Sequence, residues 1–242
     1  MLRLSAFAMV AMLTAPLAAA DKGTFVDKVF KNEDGHESPY VVFVPANHDK
    51  DKPSPVLLFL HGAGETKGGS MMPIQQGIAP HIKRMEEKKQ LFKFITIIPQ
   101  AETRDWRADS PNAKRALAML DEVVKEYNGD PKRLYLTGLS MGGFGTWSIA
   151  AAMPDKFAAI APICGGGKAE WGEKLKDLPI WCFHGAEDKV VPAKLSQDMI
   201  EAIKKAGGKP RYSEFPYVGH NSWDAAYAHD ELYWWLLSHA KK

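Results

Sequence analysis

The stretch Tyr135-Leu136-Thr137-Gly138-Leu139-Ser140-Met141-Gly142-Gly143 decides the fold, because an apolar strand-like run breaks there into a serine bracketed by glycines. The pattern G-x-S-x-G after a strand is typical of a sharp strand-to-helix turn that exposes a nucleophilic serine hydroxyl. Gly138 and Gly142 keep side-chain bulk away from this turn. The pattern therefore makes Ser140 the candidate nucleophile.

Two other interpretations compete for this serine. A dinucleotide-binding turn requires glycine at the position of Ser140 and an acidic residue about 20 positions beyond the glycines. The range 157–167 contains neither Asp nor Glu, so that interpretation fails at both requirements. A serine that only caps the following helix is common, and this second interpretation stays open until catalytic partners are found downstream.

Residues 1–20 have the composition of an export signal. Arg3 precedes a long apolar run, which ends in Ala18-Ala19-Ala20 just before Asp21, the first acidic residue. A positive start, an apolar centre and an A-x-A end predict a cleavable signal peptide. The apolar run contains Pro16 and is shorter than the roughly 20 residues of a membrane-spanning helix. We therefore expect a secreted or periplasmic mature chain that begins near Asp21 and has no membrane span.

Length and charge constrain the class of protein. Without the first 20 of the 242 residues, 222 remain, and we expect one domain over 21–242. Arg3 is the only charged residue of the signal segment, so 30 basic side chains balance 29 acidic ones in the mature chain. The basic residues are spread along the chain, and the range 84–89 also carries two glutamates, as in a solvated helix face. No nucleic-acid partner is expected.

The chain has two cysteines, Cys164 and Cys182, and both lie in apolar strand-like runs. An exported protein can oxidise such a pair to a disulfide. Free cysteines are, however, among the residues most often buried in protein cores. We favour two free thiols and leave the disulfide open.

Eight short runs rich in β-branched and aromatic residues predict strands. They are Thr24–Phe30, Tyr40–Val44, Val56–Leu60, Phe94–Ile98, Leu134–Thr137, Phe157–Ile163, Ile180–Phe183 and Arg211–Phe215. Helices are predicted at Pro111–Tyr127, Met141–Met153, Ala193–Ala206 and Ala225–His239. This alternation predicts an α/β fold, with a mostly parallel eight-stranded sheet, helices on both faces, an antiparallel strand pair at its start and no large lid.

A serine hydroxyl becomes nucleophilic when a base accepts its proton and a third group orients that base. In such a sheet these groups lie beyond the carboxyl ends of the strands. Three histidines are expected there. His61 and His184 each end a strand and precede glycine, so we expect them to shape their turns. His220 lies in a loop after the last strand and is the candidate base.

The loop 184–192 follows the penultimate strand and offers two acids, Glu187 and Asp188. The order Ser140, Asp188, His220 is the chain order expected when the serine stands on such a strand-to-helix turn, so Asp188 is the candidate orienting acid. No H-E-x-x-H or comparable spacing of metal ligands occurs. We expect neither a metal nor a cofactor.

An oxyanion hole requires backbone N–H groups aimed at the developing negative charge. One donor is expected from Met141, the residue after the nucleophile, and another from the loop after the third strand. In that loop Ala63 is the first choice and Gly64 the second. Trp106 and Gln100, in the rim loop after the fourth strand, are candidate substrate-binding residues, although a tryptophan there could equally be packing.

Several motifs together carry a family resemblance. They are Leu58-Phe59-Leu60-His61-Gly62-Ala63-Gly64-Glu65, Pro99-Gln100, Asp130 to Gly143, Pro162-Ile163-Cys164-Gly165-Gly166, Phe183-His184-Gly185-Ala186-Glu187-Asp188 and Gly219-His220-Asn221-Ser222-Trp223. With them the chain resembles the α/β-hydrolase superfamily and, within it, exported carboxylesterases and predicted peptidases related to polysaccharide-acting and polyhydroxyalkanoate-depolymerase-like esterases. The resemblance implies that Ser140, Asp188 and His220 form a catalytic triad.

The expected function is a secreted serine hydrolase that cleaves carboxylic esters through an acyl-enzyme on Ser140. Acetyl or feruloyl esters of polysaccharides are the substrates that the resemblance implies. A serine peptidase of the prolyl-oligopeptidase-like type, with the same triad, is the alternative enzyme. A non-catalytic binding module is the alternative from another class, and it is disfavoured because all three triad residues are present.

Overall fold

The computed structural model describes residues 22–32, 35–67 and 72–242. The predicted signal peptide, residues 1–20, and the expected mature start at Asp21 lie outside the described residues. In the described ranges no helix combines the length and the apolar character needed to cross a membrane.

One eight-stranded sheet forms the centre of the molecule. Its strands are β1 (Thr24–Lys31), β2 (Glu37–Val44), β3 (Ser54–Leu60), β4 (Ile95–Pro99), β5 (Gly129–Leu139), β6 (Ala159–Ile163), β7 (Trp181–Gly185) and β8 (Arg211–Phe215). They are arranged in the order β1-β2-β4-β3-β5-β6-β7-β8. The pairs β1–β2 and β2–β4 are antiparallel, and every other neighbouring pair is parallel. The predicted eight-stranded, mostly parallel sheet is therefore confirmed.

Helices cover both faces of this sheet. They are α1 (Ile78–Glu87), α2 (Pro111–Glu126), α3 (Met141–Ala152), α4 (Gly172–Leu175), α5 (Lys194–Lys205), α6 (Trp223–Tyr227) and α7 (Asp230–Leu237). Buried apolar side chains of α2, α3, α4 and α5 form one core cluster with the sheet, and those of α1, α6 and α7 form a second cluster. Helices on both faces are therefore confirmed as well.

Helix α2 begins where local sequence predicts it. The hydroxyl of Ser110 accepts a hydrogen bond from the N–H of Ala113 at 3.2 Å, and Pro111 is the first helical residue. Serine satisfies an N–H group that has no partner in the first turn, and proline has no N–H there to leave unpaired.

Strand β5 is longer than its apolar run predicts. It pairs with β3 at Ser54 and Gly129, shifts register, and pairs regularly from Val56 and Leu134 onward. The additional residues 130–133 are polar or proline and have no apolar signal. The strand preceding Ser140 therefore extends beyond the core-facing segment that sequence patterns detect.

The single helix predicted over Ala225–His239 is wrong. Two helices, α6 and α7, are separated at His229, whose backbone is extended with φ −85° and ψ 96°. The ring of His229 packs edge-on against Trp181 at 5.4 Å, and the hydroxyl of Tyr233 donates to the carbonyl of Tyr227 at 2.8 Å. Tertiary packing and this capping bond interrupt a segment that helical periodicity alone would continue.

The two cysteines are buried free thiols. Cys164 belongs to the core cluster on one face of the sheet, and Cys182 to the cluster on the other face. The sheet therefore separates their side chains.

Candidate active site

The turn between β5 and α3 places Ser140 in an unusual backbone conformation. Its φ is 52° and its ψ is −115°. A positive φ is uncommon for a residue with a Cβ atom and costs on the order of 1–3 kcal/mol, so such strain is retained mostly at functional positions. This conformation is the one that the nucleophile turn requires.

Gly138 and Gly142 are required because the backbone of the turn lies very close to neighbouring backbone. A Cβ atom on Gly138 would lie 2.4 Å from the carbonyl oxygen of Gly142, and one on Gly142 would lie 2.0 Å from the carbonyl oxygen of Leu60. Both distances are far below van der Waals contact. The turn is therefore packed backbone against backbone, which explains both glycines of the pattern.

Ser140 does not cap the helix that follows it. Its side chain makes no capping hydrogen bond to α3, although it occupies the N-cap position. The hydroxyl oxygen instead lies 2.9 Å from Nε2 of His220. The capping interpretation that sequence left open is therefore not the arrangement in the structure.

His220 links the serine to an acid. Its Nδ1 lies 2.7 Å from Oδ2 of Asp188. An ionised carboxylate only accepts hydrogen bonds, so Nδ1 carries the proton and Nε2 is free to accept from the hydroxyl of Ser140. The structure thus brings the three residues predicted for the triad into one hydrogen-bonded chain, from Ser140 through His220 to Asp188.

Both oxygens of the Asp188 carboxylate accept hydrogen bonds. Its Oδ1 accepts hydrogen bonds from the N–H groups of Val190 at 2.8 Å and Val191 at 2.9 Å. Burial alone would raise its pKa, but the bonds from His220 and from these two N–H groups outweigh burial and lower the pKa. The neighbouring Glu187 is exposed. The choice of Asp188 over Glu187 therefore agrees with the geometry.

His184 supports the same loop from below. It is fully buried, with Nε2 2.9 Å from the carbonyl of Val191 and Nδ1 2.7 Å from the hydroxyl of Ser196. Its Nε2 also lies 3.2 Å from Oδ2 of Asp188. His184 thus shapes its turn, as expected, and in addition contacts the acid, which the sequence did not indicate.

His61 is buried at the end of β3 and does not reach the nucleophile. Its Nε2 accepts a hydrogen bond from the N–H of Ala101 at 2.9 Å, so Nδ1 carries the proton and donates to the carbonyl of Gly62 at 2.6 Å. Burial lowers the pKa of His61 to about 4. The imidazole is therefore a neutral link between the ends of β3 and β4.

The loop after β3 lies against Ser140. A Cβ atom on Gly62 would be 3.8 Å from the Cβ of Ser140, and a short 3-10 helix, Ala63–Glu65, begins at the next residue. The first N–H groups of a helix have no partner within it. Ala63 and Gly64 stand at the start of this 3-10 helix, and Met141 is the first residue of α3. The three expected oxyanion donors are thus at helix starts, and their role, including the choice between Ala63 and Gly64, stays a prediction.

Gln100 does not lie where a substrate would reach it. Its side chain is buried, and its amide nitrogen donates to the carbonyls of Glu65 at 2.6 Å and Ala101 at 3.1 Å. The expectation that Gln100 binds substrate is therefore corrected. Its bond to Glu65 links the end of β4 to the loop after β3.

Glu65 is a partly buried acid that sequence reasoning did not single out. Burial raises its pKa, although backbone N–H groups of Gly62 and Glu65 favour the charged form. One carboxylate oxygen is 3.9 Å from Nδ1 of His61. The carboxylate of Glu65 thus turns back towards the backbone of Gly62 and the imidazole of His61.

A cleft of about 490 Å³ opens at Ser140, and we call it the nucleophile cleft. Its walls include Trp106, Phe144, Arg104 and Arg107. Trp106 borders the cleft but is only 2% exposed, and it donates its indole N–H to the carbonyl of His61 at 3.0 Å, so most of its ring is packing. Phe144 and the two arginines were not predicted. Phe144 could have been found, because it lies four residues after Ser140 on the same helix face.

Cys164 is a further neighbour of Ser140. Its sulfur lies 3.3 Å from the backbone N–H of Ser140, and burial raises its pKa to about 12. Ligand atoms of Cys164, Asp188 and His220 lie within 4.8 Å of one another. A thiol that stays protonated is a poor metal ligand, and the other two groups are already bonded to each other. Hydrogen bonding therefore accounts for this cluster.

The sheet and the site together define a class of protein. A mostly parallel sheet with a strained serine turn after its central strand, followed along the chain by an acid and a histidine, is the architecture of the α/β-hydrolases. The chain belongs to the dienelactone hydrolase family, whose family model matches residues 39–228.

Two curated relatives and one solved structure are similar to the chain at low sequence identity. The chain is 29% identical over 179 residues to the "Bifunctional acetylxylan esterase/xylanase XynS20E" of Neocallimastix patriciarum, which covers 73% of this chain and 24% of that protein. It is 23% identical over 186 residues to the "Probable feruloyl esterase C" of Aspergillus niger, covering 76% of this chain and 67% of that protein. A solved structure of a thermostable esterase has a TM-score of 0.81 at 32% identity, covering 89% of this chain and 63% of that one. The chain thus spans about a quarter of the first relative's length.

Proposed function

We propose that this protein hydrolyses carboxylic esters through a covalent acyl-enzyme on Ser140. The observation that carries the proposal is the single imidazole that lies 2.9 Å from the hydroxyl of Ser140 and 2.7 Å from the carboxylate of Asp188. Such a chain activates a hydroxyl that is otherwise a weak nucleophile.

In the acylation step, Oγ of Ser140 attacks the ester carbonyl carbon while Nε2 of His220 takes the hydroxyl proton. Asp188 holds the imidazole by its Nδ1–H and stabilises the positive charge that forms. The oxyanion accepts hydrogen bonds from the N–H groups of Met141 and Ala63, with Gly64 as the alternative to Ala63. Losing one such donor typically slows the reaction by about 10²–10³-fold.

The tetrahedral intermediate then collapses. The bond from carbon to the alcohol oxygen breaks, and His220 returns its proton to that oxygen, so the alcohol leaves and the acyl group stays on Ser140. Water next donates a proton to Nε2 as it attacks the acyl carbon. The carboxylic acid is released and the proton returns to Oγ. No metal or cofactor enters this sequence.

Acyl groups on polysaccharides are the proposed substrates. Two relatives support this, one named as an acetylxylan esterase/xylanase and one as a probable feruloyl esterase. The nucleophile cleft of about 490 Å³ also falls within the usual size of ligand pockets. We further propose that residues 1–20 export the protein and that 21–242 form one catalytic domain. N-terminal sequencing of the secreted product should give Asp21 or a neighbouring residue, and an intact Met1 there would refute export by cleavage.

The test of the central proposal compares the wild-type protein with Ser140→Ala. The wild type should react with a fluorophosphonate probe and turn over p-nitrophenyl acetate, and the variant should do neither while it keeps its circular dichroism spectrum. Labelling that persists in the variant would refute Ser140 as nucleophile. Faster turnover of a peptide anilide than of p-nitrophenyl acetate would refute the ester preference and indicate a serine peptidase.

A further inference from the structure

A second cleft adjoins the nucleophile cleft. Its volume is about 560 Å³, and Arg107 and Phe144 border both spaces. We call it the side cleft. It extends past Lys168 and Trp171, in the segment between β6 and α4, to Lys174 in α4. A molecule whose ester carbonyl is at Ser140 can therefore continue, without leaving the surface, into a space lined by different residues.

Positive charge predominates along these two clefts. Four cations, Arg104, Arg107, Lys168 and Lys174, face two carboxylates, Asp105 and Asp109. One of these carboxylates is already engaged, because Asp105 binds the guanidinium of Arg107 at 2.8 Å. The clefts thus hold a local excess of two positive charges, which equals the net charge of +2 of the whole 242-residue chain.

Two of the cations are available to a ligand. Within the described ranges, Arg104 and Lys174 make no ion pair with any carboxylate, and Lys168 has only a long contact of 3.8 Å to Glu170. Guanidinium and ammonium groups bind carboxylates readily. An anionic group in the side cleft would therefore find cations that are not neutralised by the protein itself.

Flat apolar surface completes the side cleft. Phe144 is 39% exposed on the wall that the two clefts share, and Trp171 is half-buried at the far end. Small residues of α3, Ser148, Ala151 and Ala152, line the cleft between them. Ring-shaped ligands with apolar faces bind against such aromatic walls, while their polar edges meet the charged rim.

We propose that the side cleft binds a carboxylate-bearing sugar residue, a uronate, of the same glycan chain whose acyl ester is cleaved at Ser140. This inference rests on the proposed function and specifies its substrate class. Trp171 and Phe144 contact the sugar ring, and Lys168 and Lys174 bind its carboxylate. Acidic acylated glycans are then preferred over neutral ones, and small esters that end inside the nucleophile cleft gain nothing from the side cleft.

The test uses acetylated xylo-oligosaccharides of equal length with and without a glucuronate branch, and p-nitrophenyl acetate as the small ester. The double variant Lys168→Gln/Lys174→Gln is compared with Lys176→Gln, whose ammonium group bonds Glu173 at 2.6 Å and does not line either cleft. An exposed ion pair is worth at most about fivefold in affinity. Because two lysines bind the carboxylate, the wild type should show about tenfold higher kcat/KM on the acidic than on the neutral oligosaccharide. The double variant should lose that difference.

Three controls make the outcome decisive. Lys176→Gln should behave as the wild type, and 0.5 M NaCl should reduce the preference for the acidic substrate because salt screens exposed charges. Trp171→Ala should lower kcat/KM on both oligosaccharides by a larger factor than on p-nitrophenyl acetate. Equal kcat/KM on acidic and neutral substrates, or equal losses on all three esters, would overturn the uronate subsite. Failure of the proposed function would instead appear as no turnover of p-nitrophenyl acetate by any of the proteins.

Discussion

Two histidines at the same rim of the sheet, His61 and His220, have opposite environments. His61 is fully buried, and both of its nitrogens are bonded to the backbone, at Ala101 and Gly62. His220 is partly exposed, and both of its nitrogens face side chains that can gain or lose protons, those of Ser140 and Asp188. Backbone partners hold a histidine in one protonation state, whereas side-chain partners and access to solvent let it exchange protons.

The first prediction tests the contrast by replacing each histidine with glutamine, beginning with His220. His220→Gln should lower kcat on p-nitrophenyl acetate on the order of 10⁶-fold, since the base of a triad acts as one unit with its nucleophile. The free energy of unfolding should change by less than about 1 kcal/mol, because the ring is part-buried and leaves no large cavity. Steady-state kinetics and urea unfolding measure the two effects. A loss of stability with little loss of kcat would assign His220 to structure.

The second prediction concerns the acid that orients His220. Asp188→Asn should lower kcat on the order of 10⁴-fold, because an amide no longer stabilises the imidazolium or selects the correct tautomer. Glu187→Gln is the matched control, since Glu187 is the exposed neighbour in the same loop. It should retain activity within about twofold. A larger loss in Glu187→Gln than in Asp188→Asn would show that the wrong acid had been chosen.

The third prediction tests the buried histidine through the pH dependence of stability. Burial lowers the pKa of His61 to about 4 from 6.5 in the unfolded chain. The unfolded state then binds a proton as the pH falls below 6.5, and the folded state does so only near 4. The contribution of His61 to the free energy of unfolding is therefore fully present above pH 6.5. It decreases by about 3 kcal/mol as the pH falls towards 4.

Urea unfolding of the wild type and of His61→Gln, at intervals from pH 7 to pH 4, separates this contribution. Glutamine can still accept from the N–H of Ala101 but does not titrate, so the variant should have a flatter profile. His81, whose pKa burial also lowers to about 4, titrates in both proteins and cancels in the difference. Profiles of equal slope would contradict a neutral His61.

The smallest expected effect concerns the bond that ties Trp106 to the turn at His61. Trp106→Phe leaves the buried carbonyl of His61 without its partner, and the lost hydrogen bond should cost about 1–2 kcal/mol beyond the loss of packing. Trp147→Phe is the matched control, because Trp147 is also buried and its indole N–H has no hydrogen-bond partner in the described part of the protein. Equal losses of stability in the two variants, measured by urea unfolding, would show that the bond contributes nothing.

Much of this architecture was predictable because its signals are local. Apolar runs identify all eight strands, and Ser110-Pro111 identifies the start of α2. The order of Ser140, Asp188 and His220 suffices to expect their meeting, since loops at the carboxyl ends of parallel strands share one rim. The glycines at 138 and 142 belong to the same local signal.

What sequence could not predict depends on tertiary contacts. The break at His229 arises from a ring packed on Trp181, which no periodicity reports. The buried position of Gln100 depends on the path of the loop after β3, where its amide bonds the carbonyl of Glu65. Lys174 reaches the side cleft from a four-residue helix, α4, whose placement is set by its packing on α5 and on the rest of the fold.

The contact between Gly142 and the carbonyl of Leu60 has a consequence for how such an enzyme can change. Because the nucleophile turn is positioned by backbone against backbone, the placement of Ser140 relative to the loop after β3 does not depend on the side chains that surround the cleft. Phe144, Arg104 and Arg107 can therefore be exchanged with little effect on the geometry of bond cleavage. Substrate preference in this scaffold can be redesigned separately from catalytic power, which makes the cleft walls the rational targets for directed evolution.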